Sequence, residues 1–318
     1  MIIHVGPTKD ARCDVSFGTL NKNYDIDDLI AIVILEIVSC DVRVCVVRTR
    51  DPEVLKDLTM VIGGGKYDNH MKGFNRRRPT GEKYVSAGQV WKDYGVAAIK
   101  KVMEKEKLFQ IQISQEMLED IAEEIDREYI LPIDLEDNGD ERPHAFSFVT
   151  GFLPVWFKKN PDYDKAFWEA EKVAYAVLYH IIQDKLVRKV TTFDLYNRIV
   201  HEFTLNQDLL VNYGILEIPS QLMPWEEAVW MFNEKYGNIV KVVIFEHPDG
   251  GWAAKCVSPS KKDKYGQIQP FPESWAGGNE KTLPAITGIE DAILCHNGRD
   301  FIRARSKESI IKMCVMAE

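Results

Sequence analysis

Acidic side chains crowd the start of a long apolar run near the beginning of the chain. Asp25, Asp27 and Asp28 stand directly before LIAIVILEIV, residues 29–38. Carboxylates at this spacing repel one another unless a positive charge lies among them, and either the positive end of a helix dipole or a bound cation can supply it. The stretch therefore predicts either helix capping with solvation or one side of a metal site.

Three further segments carry acidic, histidine, glycine or arginine residues at positions where strands are expected to end. They are the glycine turn 63–65 with Asp68 and His70, the run KGFNRRRPTGEKY at 72–84, and IDLEDNG at 133–139. Hard divalent cations prefer carboxylate oxygens, and manganese also accepts imidazole. Each segment alone is typical of a solvated turn, IDLEDNG of an acidic one. Their joint occurrence is what indicates a site for Mn²⁺ or Mg²⁺.

Arg76, Arg77 and Arg78 follow the glycine turn directly. The planar guanidinium fork matches the geometry of a phosphate group. The chain has 40 basic against 49 acidic residues and a net charge of -9, which argues against a surface that binds duplex nucleic acid all over. The arginine run therefore indicates either a local anion patch or a solvated surface loop.

Hydrophobic patterns predict the elements that position these residues. We expect residues 27–39 to form a hydrophobic helix with an acidic first turn, and residues 41–48 to form a strand. The β-prone run 58–62 leads into the glycine turn, and helices follow at 85–106 and 114–128. Because strand and helix alternate, we expect a mainly parallel sheet, with ligands at the carboxyl ends of its strands.

The second half of the chain has a different character. Residues 163–206 are one long helical region, and beyond it strands, a helix and a β-hairpin around 248–251 are expected. The predicted fold class is α/β, with a mainly parallel sheet in an N-terminal domain and a smaller α+β C-terminal domain. We place these domains at 1–160 and 208–318, with a helical connector at 161–207.

Composition limits the class of protein. A chain of 318 residues with 45% hydrophobic and 10% aromatic residues has enough apolar surface for a folded globule of two domains. The six cysteines show no CxxC pair, so we expect buried free thiols. The start MIIHVGPTKDARC lacks the pattern of a secretory signal, and the longest apolar run is short and contains Glu36. We expect a cytoplasmic protein that does not enter a membrane. GxxxxGK[ST], GxSxG and HExxH motifs are absent from the sequence.

The order of the motifs resembles the melanocyte-proliferating-gene family of metal-dependent hydrolases and exonucleases, relatives of the Asp-His-His phosphoesterases. The matching phrases in the first half are YDIDD at 24–28, RTRDPEVL at 48–55, GGGKYDNHMKGF at 63–74, YVSAGQVWKDYG at 84–95 and IDLEDNG at 133–139. In the last third MPWEEA, GGWAAK, PFPESWAG and GIEDAILCHNGRDFI look like family phrases in the same order. The resemblance spans nearly the whole chain.

The resemblance implies an Asp-His-His-like N-terminal domain and a C-terminal domain that grips substrate. It places metal ligands at Asp27, Asp68 and Asp134, and catalytic roles at His70 and Asp68, with His70 directed toward a phosphate. Asp25 stands where the family has a histidine, and as part of a DxD pair with Asp27 it is expected to be a replacement metal ligand. Phe301 or Trp275 would stack on a base, although a core role is favoured for Trp275. The residues expected to bind substrate are Arg76, Arg77, Arg78, Ser86, His296, Arg299 and Arg303.

Departures from the family pattern leave the function open. Leu20 and Asn69 stand where the family has histidines, and Val61 or Ile62 stands where it has an aspartate that bridges two metals. The first hypothesis is a metal-dependent phosphoesterase, a 3'-5' exonuclease that acts on single-stranded RNA or DNA. The alternatives are a catalytically inactive binding or interaction protein and a small-nucleotide phosphohydrolase. The expected partners are single-stranded nucleic acid or a nucleotide, and homo-oligomers are possible.

Overall fold

The chain divides into two compact units, residues 1–187 and 188–318. A computed structural model describes residues 2–4, 13–20, 24–63, 66–67, 75–107, 113–140, 142–155 and 157–317. No helix within these ranges has the length and apolar character needed to cross a bilayer.

A four-stranded parallel sheet forms the centre of the first unit, with strand order β1-β3-β2-β4. Its strands are short and rich in valine and isoleucine, as is typical of strands buried on both faces. The strands are β1 Ile2–His4, β2 Val15–Thr19, β3 Val44–Arg48 and β4 Met60–Ile62.

Helices follow the strands of the first unit. Beside them a 3-10 helix covers Ser147–Phe152, and a π-helical segment, Asp126–Ile130, joins two of the helices. The α-helices are α1 Ile26–Val38, α2 Pro52–Leu55, α3 Ser86–Lys105, α4 Gln115–Ile125, α5 Leu131–Asp137 and α6 Tyr163–Thr204. The last helix continues from the first unit into the second.

α1 is the core helix of the first unit. Every residue from Ile26 to Ile37 is buried, because the helix is apolar on nearly all faces. Burial of this kind also removes Glu36 from water, leaving it 1% exposed. The predicted helix and the strand that follows it are confirmed.

The segment IDLEDNG differs from its predicted form. It is not an acidic turn at a strand end, because Ile133 to Asp137 belong to α5. α4, the π-helical segment and α5 follow one another directly, so 115–137 is a continuous helical run. Pro132 lacks a backbone N–H, and the amide of Leu131 instead bonds back to Asp126 O, five residues earlier. The wider turn therefore carries the helix past the proline.

A five-stranded sheet of order β5-β6-β7-β9-β8 builds the second unit. β5 pairs parallel with β6, and the other pairs are antiparallel. Its strands are β5 Ile215–Glu217, β6 Val242–Glu246, β7 Trp252–Cys256, β8 Ala292–Cys295 and β9 Phe301–Ala304. Its helices, besides the end of α6, are α7 Asp208–Tyr213, α8 Glu226–Tyr236, α9 Leu283–Thr287 and α10 Lys307–Met316, with a 3-10 turn at Glu273–Trp275.

The two faces of this sheet are covered differently. One face packs on α10 through Ile244, Ala254 and Ile302. The other face carries Phe245 and Ala253, which pack against α8. The α/β class with a parallel sheet is confirmed, while the Asp-His-His-like layout and the predicted connector stay predictions.

The cysteines depart from the expected free thiols at one pair. Cys13 and Cys45 form a disulfide, with Cα atoms 5.7 Å apart. The pairing follows from the sheet, because β2 lies beside β3 with Ser16 opposite Cys45, which brings the residues before β2 near the same strand. Cys256, Cys295 and Cys314 are free and buried, as expected.

Candidate functional site

Three buried carboxylates from distant parts of the chain meet around the first turn of α3. Asp27 and Asp28 belong to the first turn of α1, and Asp134 to the first turn of α5. The amide of Ser86 donates to Asp27 Oδ2 over 3.3 Å, and the Ser86 hydroxyl lies 3.0 Å from Asp28 Oδ1. The unpaired amides and the dipole at a helix N-terminus favour negative charge, which accounts for the convergence.

Asp134 has its oxygens fully occupied. Its Oδ1 accepts the backbone N–H groups of Val85 and Gly88 over 3.3 and 3.2 Å. Its Oδ2 accepts Arg78 Nε over 2.9 Å and lies 2.7 Å from Arg78 Nη2. Four donors match the roughly four acceptor positions of a carboxylate. Burial raises the pKa of Asp134 to about 7, against the lowering effect of Arg78.

Arg78 is buried, with 6% of its surface exposed. Its Nη1 and Nη2 also pair with the carboxylate of Asp126, and its guanidinium carbon lies 4.6 Å from the centre of the Tyr84 ring. The guanidinium is therefore enclosed by two carboxylates and an aromatic face. In this structure it neutralises protein carboxylates, and it is not presented to solvent as a phosphate-binding group.

Asp27 lies in a more negative environment. Burial is the main cause that raises the pKa of Asp27 well above its usual value, and the charges of Asp28, Asp137 and Asp25 raise it further. Asp27 is 6% exposed. A cation near Asp27 would relieve this accumulation of negative charge.

A close backbone approach brings the end of β4 to the same group of carboxylates. Gly63 follows β4 with φ of +70°, and a Cβ atom on it would lie 3.0 Å from Asp28 Oδ2. Ile62, at one of the positions where the family aspartate is missing, is fully buried. The acidic group thus lies next to the carboxyl end of a parallel strand, the common place for ligands in such sheets.

The other predicted residues of the first unit are in varied positions. Asp25 occupies the N-cap position of α1 without making a capping hydrogen bond from its side chain. Arg76 and Arg77 are exposed, and their nearest partners are Gln89 Oε1 at 3.3 Å and Gly81 O at 2.7 Å. Ser86 is fully buried, so its hydroxyl contacts protein. The predicted residues Asp68 and His70, and the substitution Asn69, lie outside the described residues.

The described acidic residues differ in how well they could hold a divalent cation. Among the described residues, no three His, Cys, Asp or Glu side chains are grouped as a metal would require. Asp134 does not fit as a ligand, because Arg78 and two amides fill its oxygens. Asp27 fits better, since its surroundings are negative.

The second unit contains a separate pocket of about 480 Å³ on the face of its sheet that α8 covers incompletely. Lys255 and Phe301 are opposite each other on β7 and β9, and Arg303 is opposite Ala253. Because side chains alternate along a strand, these three lie on the face opposite α10. The lining residues are Gln221, Trp225, Glu226, Phe245, His247, Asp249, Lys255, Leu294, His296, Asp300, Phe301 and Arg303.

Rings and charges are arranged around Phe301 in this pocket. The Phe301 ring centre lies 4.9 Å from that of His296 and 6.2 Å from that of His247. His296 pairs with Asp300 at 3.8 Å. Arg303 Nη2 donates to Gly250 O over 3.0 Å. The pocket can therefore present a ring face together with cations.

The predicted residues His296 and Arg303 thus share one pocket, whereas Arg299 is not among its lining residues. Arg299 lies in the turn between β8 and β9 with φ of 57° and donates to Phe271 O over 3.4 Å. Trp275 is in the core, as favoured. Sequence reasoning missed His247 and Lys255, and alternation along the β-hairpin was the signal that could have placed them beside Phe301.

Comparison with known proteins decides the family. A model of the family described as "Uncharacterised protein family (UPF0160)", named MYG1_exonuc, matches residues 16–317. The chain belongs to this family. The MYG1 relationship is thereby shown, and the relation to the Asp-His-His phosphoesterases stays a prediction. No solved structure matches the chain significantly.

Relatives in the MYG1 family are distant but cover most of the chain. MYG1 exonuclease of Mus musculus is 23% identical over 91% of this chain and 81% of the mouse protein. MYG1 exonuclease of Homo sapiens is 22% identical over 97% of this chain and 88% of its own length. MYG1 protein C694.04c of Schizosaccharomyces pombe is 24% identical over 89% of this chain and 90% of its own length.

Proposed function

We propose that the chain is a divergent phosphodiesterase of the MYG1 family, a 3'-5' exonuclease that acts on single-stranded RNA or DNA. The observation that carries this proposal is the buried and negative environment of Asp27, beside Asp28 and Asp25 at the start of α1, in a family whose named members include exonucleases. Carboxylates gathered in this way are the chemistry that phosphoryl-transfer sites use to hold cations and orient water.

The cation part of the proposal is restricted to Asp25, Asp27 and Asp68. Asp134 is excluded from the ligand set because its oxygens are occupied. A bound Mn²⁺ or Mg²⁺ would lower the pKa of a water molecule and neutralise charge on a phosphate oxygen. His70 keeps its proposed role toward the phosphate.

The chain's own residues would contribute substrate contacts in both units. Arg76 and Arg77 are exposed, and they directly precede Arg78, which contacts Asp134. In the second unit, Phe301 offers a ring face, and Lys255 and His296 offer positive or titratable groups. Base stacking on an aromatic face together with backbone cations is how single strands are bound without strong sequence preference.

The exonuclease proposal is tested with oligonucleotides labelled at the 3' or the 5' end. We expect wild type to shorten single-stranded RNA or DNA from the 3' end in the presence of Mn²⁺ or Mg²⁺. Asp27→Asn should lower the rate at least about a hundredfold, the order of effect for a group that stabilises the transition state directly. Asp41→Asn, an exposed aspartate, is the matched control and should leave the rate unchanged.

A second candidate, a non-catalytic nucleic-acid-binding protein, is favoured by one observation. Arg78 occupies Asp134 Oδ2, the oxygen with which Asp134 would have to bind a metal ion. If wild type binds the oligonucleotides but does not shorten them, and releases no product from mononucleotides either, this second candidate is correct. Release of phosphate from mononucleotides alone would instead indicate a small-nucleotide phosphohydrolase.

A further inference from the structure

The position of Arg78 relative to Asp134 suggests more than a structural ion pair. We propose that the Arg78 guanidinium is a built-in cation that takes the place of a metal ion at Asp134, so that any divalent cation of this centre is bound without Asp134. The inference deepens the proposed function, since it concerns the cations of the same site. Its geometric basis, the ion pair, is independent of that function.

A tight turn fixes the backbone that presents Arg78. The amide of Arg78 donates to Glu82 O over 2.8 Å, and that of Gly81 donates to Arg78 O over 2.9 Å. Arg77 and Lys83 form a β-bridge next to this turn. Alternation at the bridge directs Arg77 to the surface and Arg78 to the interior, with the Tyr84 ring against its guanidinium. Arg78 is therefore held in place before any ligand arrives.

The π-helical segment places both carboxylate partners where one guanidinium can reach them. Asp126 and Asp134 are eight residues apart, and in a regular α-helix they would differ by about 80° around the axis. The five residues of the segment Asp126–Ile130 wind more slowly, which reduces this offset. Arg78 Nη2 consequently lies 2.7 Å from Asp134 and 3.0 Å from Asp126.

Charge and coordination both exclude a second cation at Asp134. Two N–H groups and two guanidinium nitrogens fill its acceptor positions. A divalent cation at the same oxygens would also face the full positive charge of Arg78 at close range. Asp27 accepts the backbone amides of Ser86 and Asp28, and within the described part of the chain no guanidinium is among the main groups that shift its pKa. Arg78 thus neutralises Asp134, whereas Asp27 would need a bound cation for the same purpose.

The test measures unfolding temperature of the full chain against Mn²⁺ concentration, because an ion that binds only the folded state raises that temperature. The variants are Asp134→Asn, Arg78→Gln, and Arg78→Gln combined with Asp134→Asn. Arg77→Gln is the matched control, since it removes the neighbouring exposed arginine. We expect Asp134→Asn and Arg77→Gln to respond to Mn²⁺ as wild type does.

Arg78→Gln should respond to Mn²⁺ with half-saturation at a concentration at least tenfold lower than that of wild type, because Asp134 and Asp126 are freed. Adding Asp134→Asn to Arg78→Gln should abolish the gain. If the role of Arg78 is purely structural, Arg78→Gln should destabilise the protein and leave its response to Mn²⁺ equal to that of wild type.

Two results would overturn the inference. One is a wild-type Mn²⁺ response that Asp134→Asn removes, and the other is an Arg78→Gln protein whose response equals that of wild type. If Arg78→Gln does not fold, the comparison of wild type with Asp134→Asn decides alone. If Mn²⁺ stabilises Arg78→Gln but not wild type, the inference is supported and the proposed metal-dependent nuclease is contradicted. Failure of the inference and failure of the proposed function are therefore distinguishable.

Discussion

Glu36 is a buried carboxyl group that no proposed chemistry uses. It lies on α1 and is 1% exposed, and neither Oε atom has a hydrogen-bond partner of normal geometry within the described part of the chain. Burial is the main cause that raises the pKa of Glu36 well above its usual value, and the nearby Glu171 raises it further. The protonated acid is therefore favoured in the folded state.

This pKa shift predicts a specific pH dependence of stability. Because the folded-state pKa is raised, the stabilising contribution is complete below the usual glutamate range and is lost as the pH rises through the folded-state pKa. Glu36→Gln cannot titrate, so its free energy of unfolding should decline less than that of wild type as the pH rises above the usual glutamate range.

The measurement is chemical denaturation of wild type and Glu36→Gln at several pH values. Glu116→Gln, at an exposed position on α4, serves as the control and should keep the wild-type pH profile. Parallel profiles for Glu36→Gln and wild type would show that Glu36 does not titrate in this range.

At the same scale, the sequence identified charges better than it identified their partners. The acidic residues Asp27 and Asp134 stood out as members of acidic segments that match family phrases, and both are buried beside the first turn of α3. The arginine run was noticed too, but its division into exposed Arg77 and buried Arg78 was not. Partners 56 residues apart in sequence, such as Arg78 and Asp134, are set by tertiary packing, which no local pattern reveals.

At the scale of elements, the N-terminus of α3 depends on a glycine. A Cβ atom on Gly88 would overlap Asp134 Oδ2 and lie 2.6 Å from Oδ1. The Gly88 amide also donates to Asp134 over 3.2 Å, so the helix backbone and the carboxylate are in direct contact. The absence of a side chain at this position is what lets them meet.

Gly88→Ala should therefore destabilise the protein although alanine is the better helix former by about 1 kcal/mol. Displacing a buried, fully bonded carboxylate resembles overpacking of a core, which costs about 1–3 kcal/mol. Thermal unfolding would show the loss. Gly151→Ala is the control, because nothing lies within 4 Å of an added Cβ there, and its stability should stay near that of wild type. An unchanged unfolding temperature for Gly88→Ala would contradict the close contact.

Elements themselves were largely predictable, with one informative failure. α1, β3, α3 and α6 follow the expected ranges closely, because periodic apolar patterns of this length depend little on context. The π-helical segment and α5 were not foreseen. A proline followed by an acidic phrase favours a turn locally, and only the wider winding before Pro132 keeps the run helical.

At the scale of the whole molecule, a net charge of -9 limits the ways in which the proposed nucleic-acid partner could be bound. A net negative charge disfavours binding of a polyanion over the whole surface, so affinity for the proposed partner would have to come from a few local cations and from stacking. In the second-unit pocket, Lys255 is exposed, and its Nζ atom lies 5.9 Å from the centre of the Trp225 ring. It is therefore well placed to take a phosphate group beside Phe301.

Two or three phosphate contacts predict a weak salt dependence for binding of single-stranded oligonucleotides. The slope of the logarithm of affinity against the logarithm of salt concentration should be about -2, since each contact contributes about -0.7.

Lys255→Gln should reduce the slope by about one contact, and Phe301→Ala should weaken binding at all salt concentrations by removing about 1–3 kcal/mol of stacking. Lys262→Gln, at an exposed position of the same unit outside the pocket, should change neither quantity. Fluorescence anisotropy between 50 and 200 mM salt would measure all four proteins, and equal slopes for wild type and Lys255→Gln would remove the second-unit pocket from the binding surface.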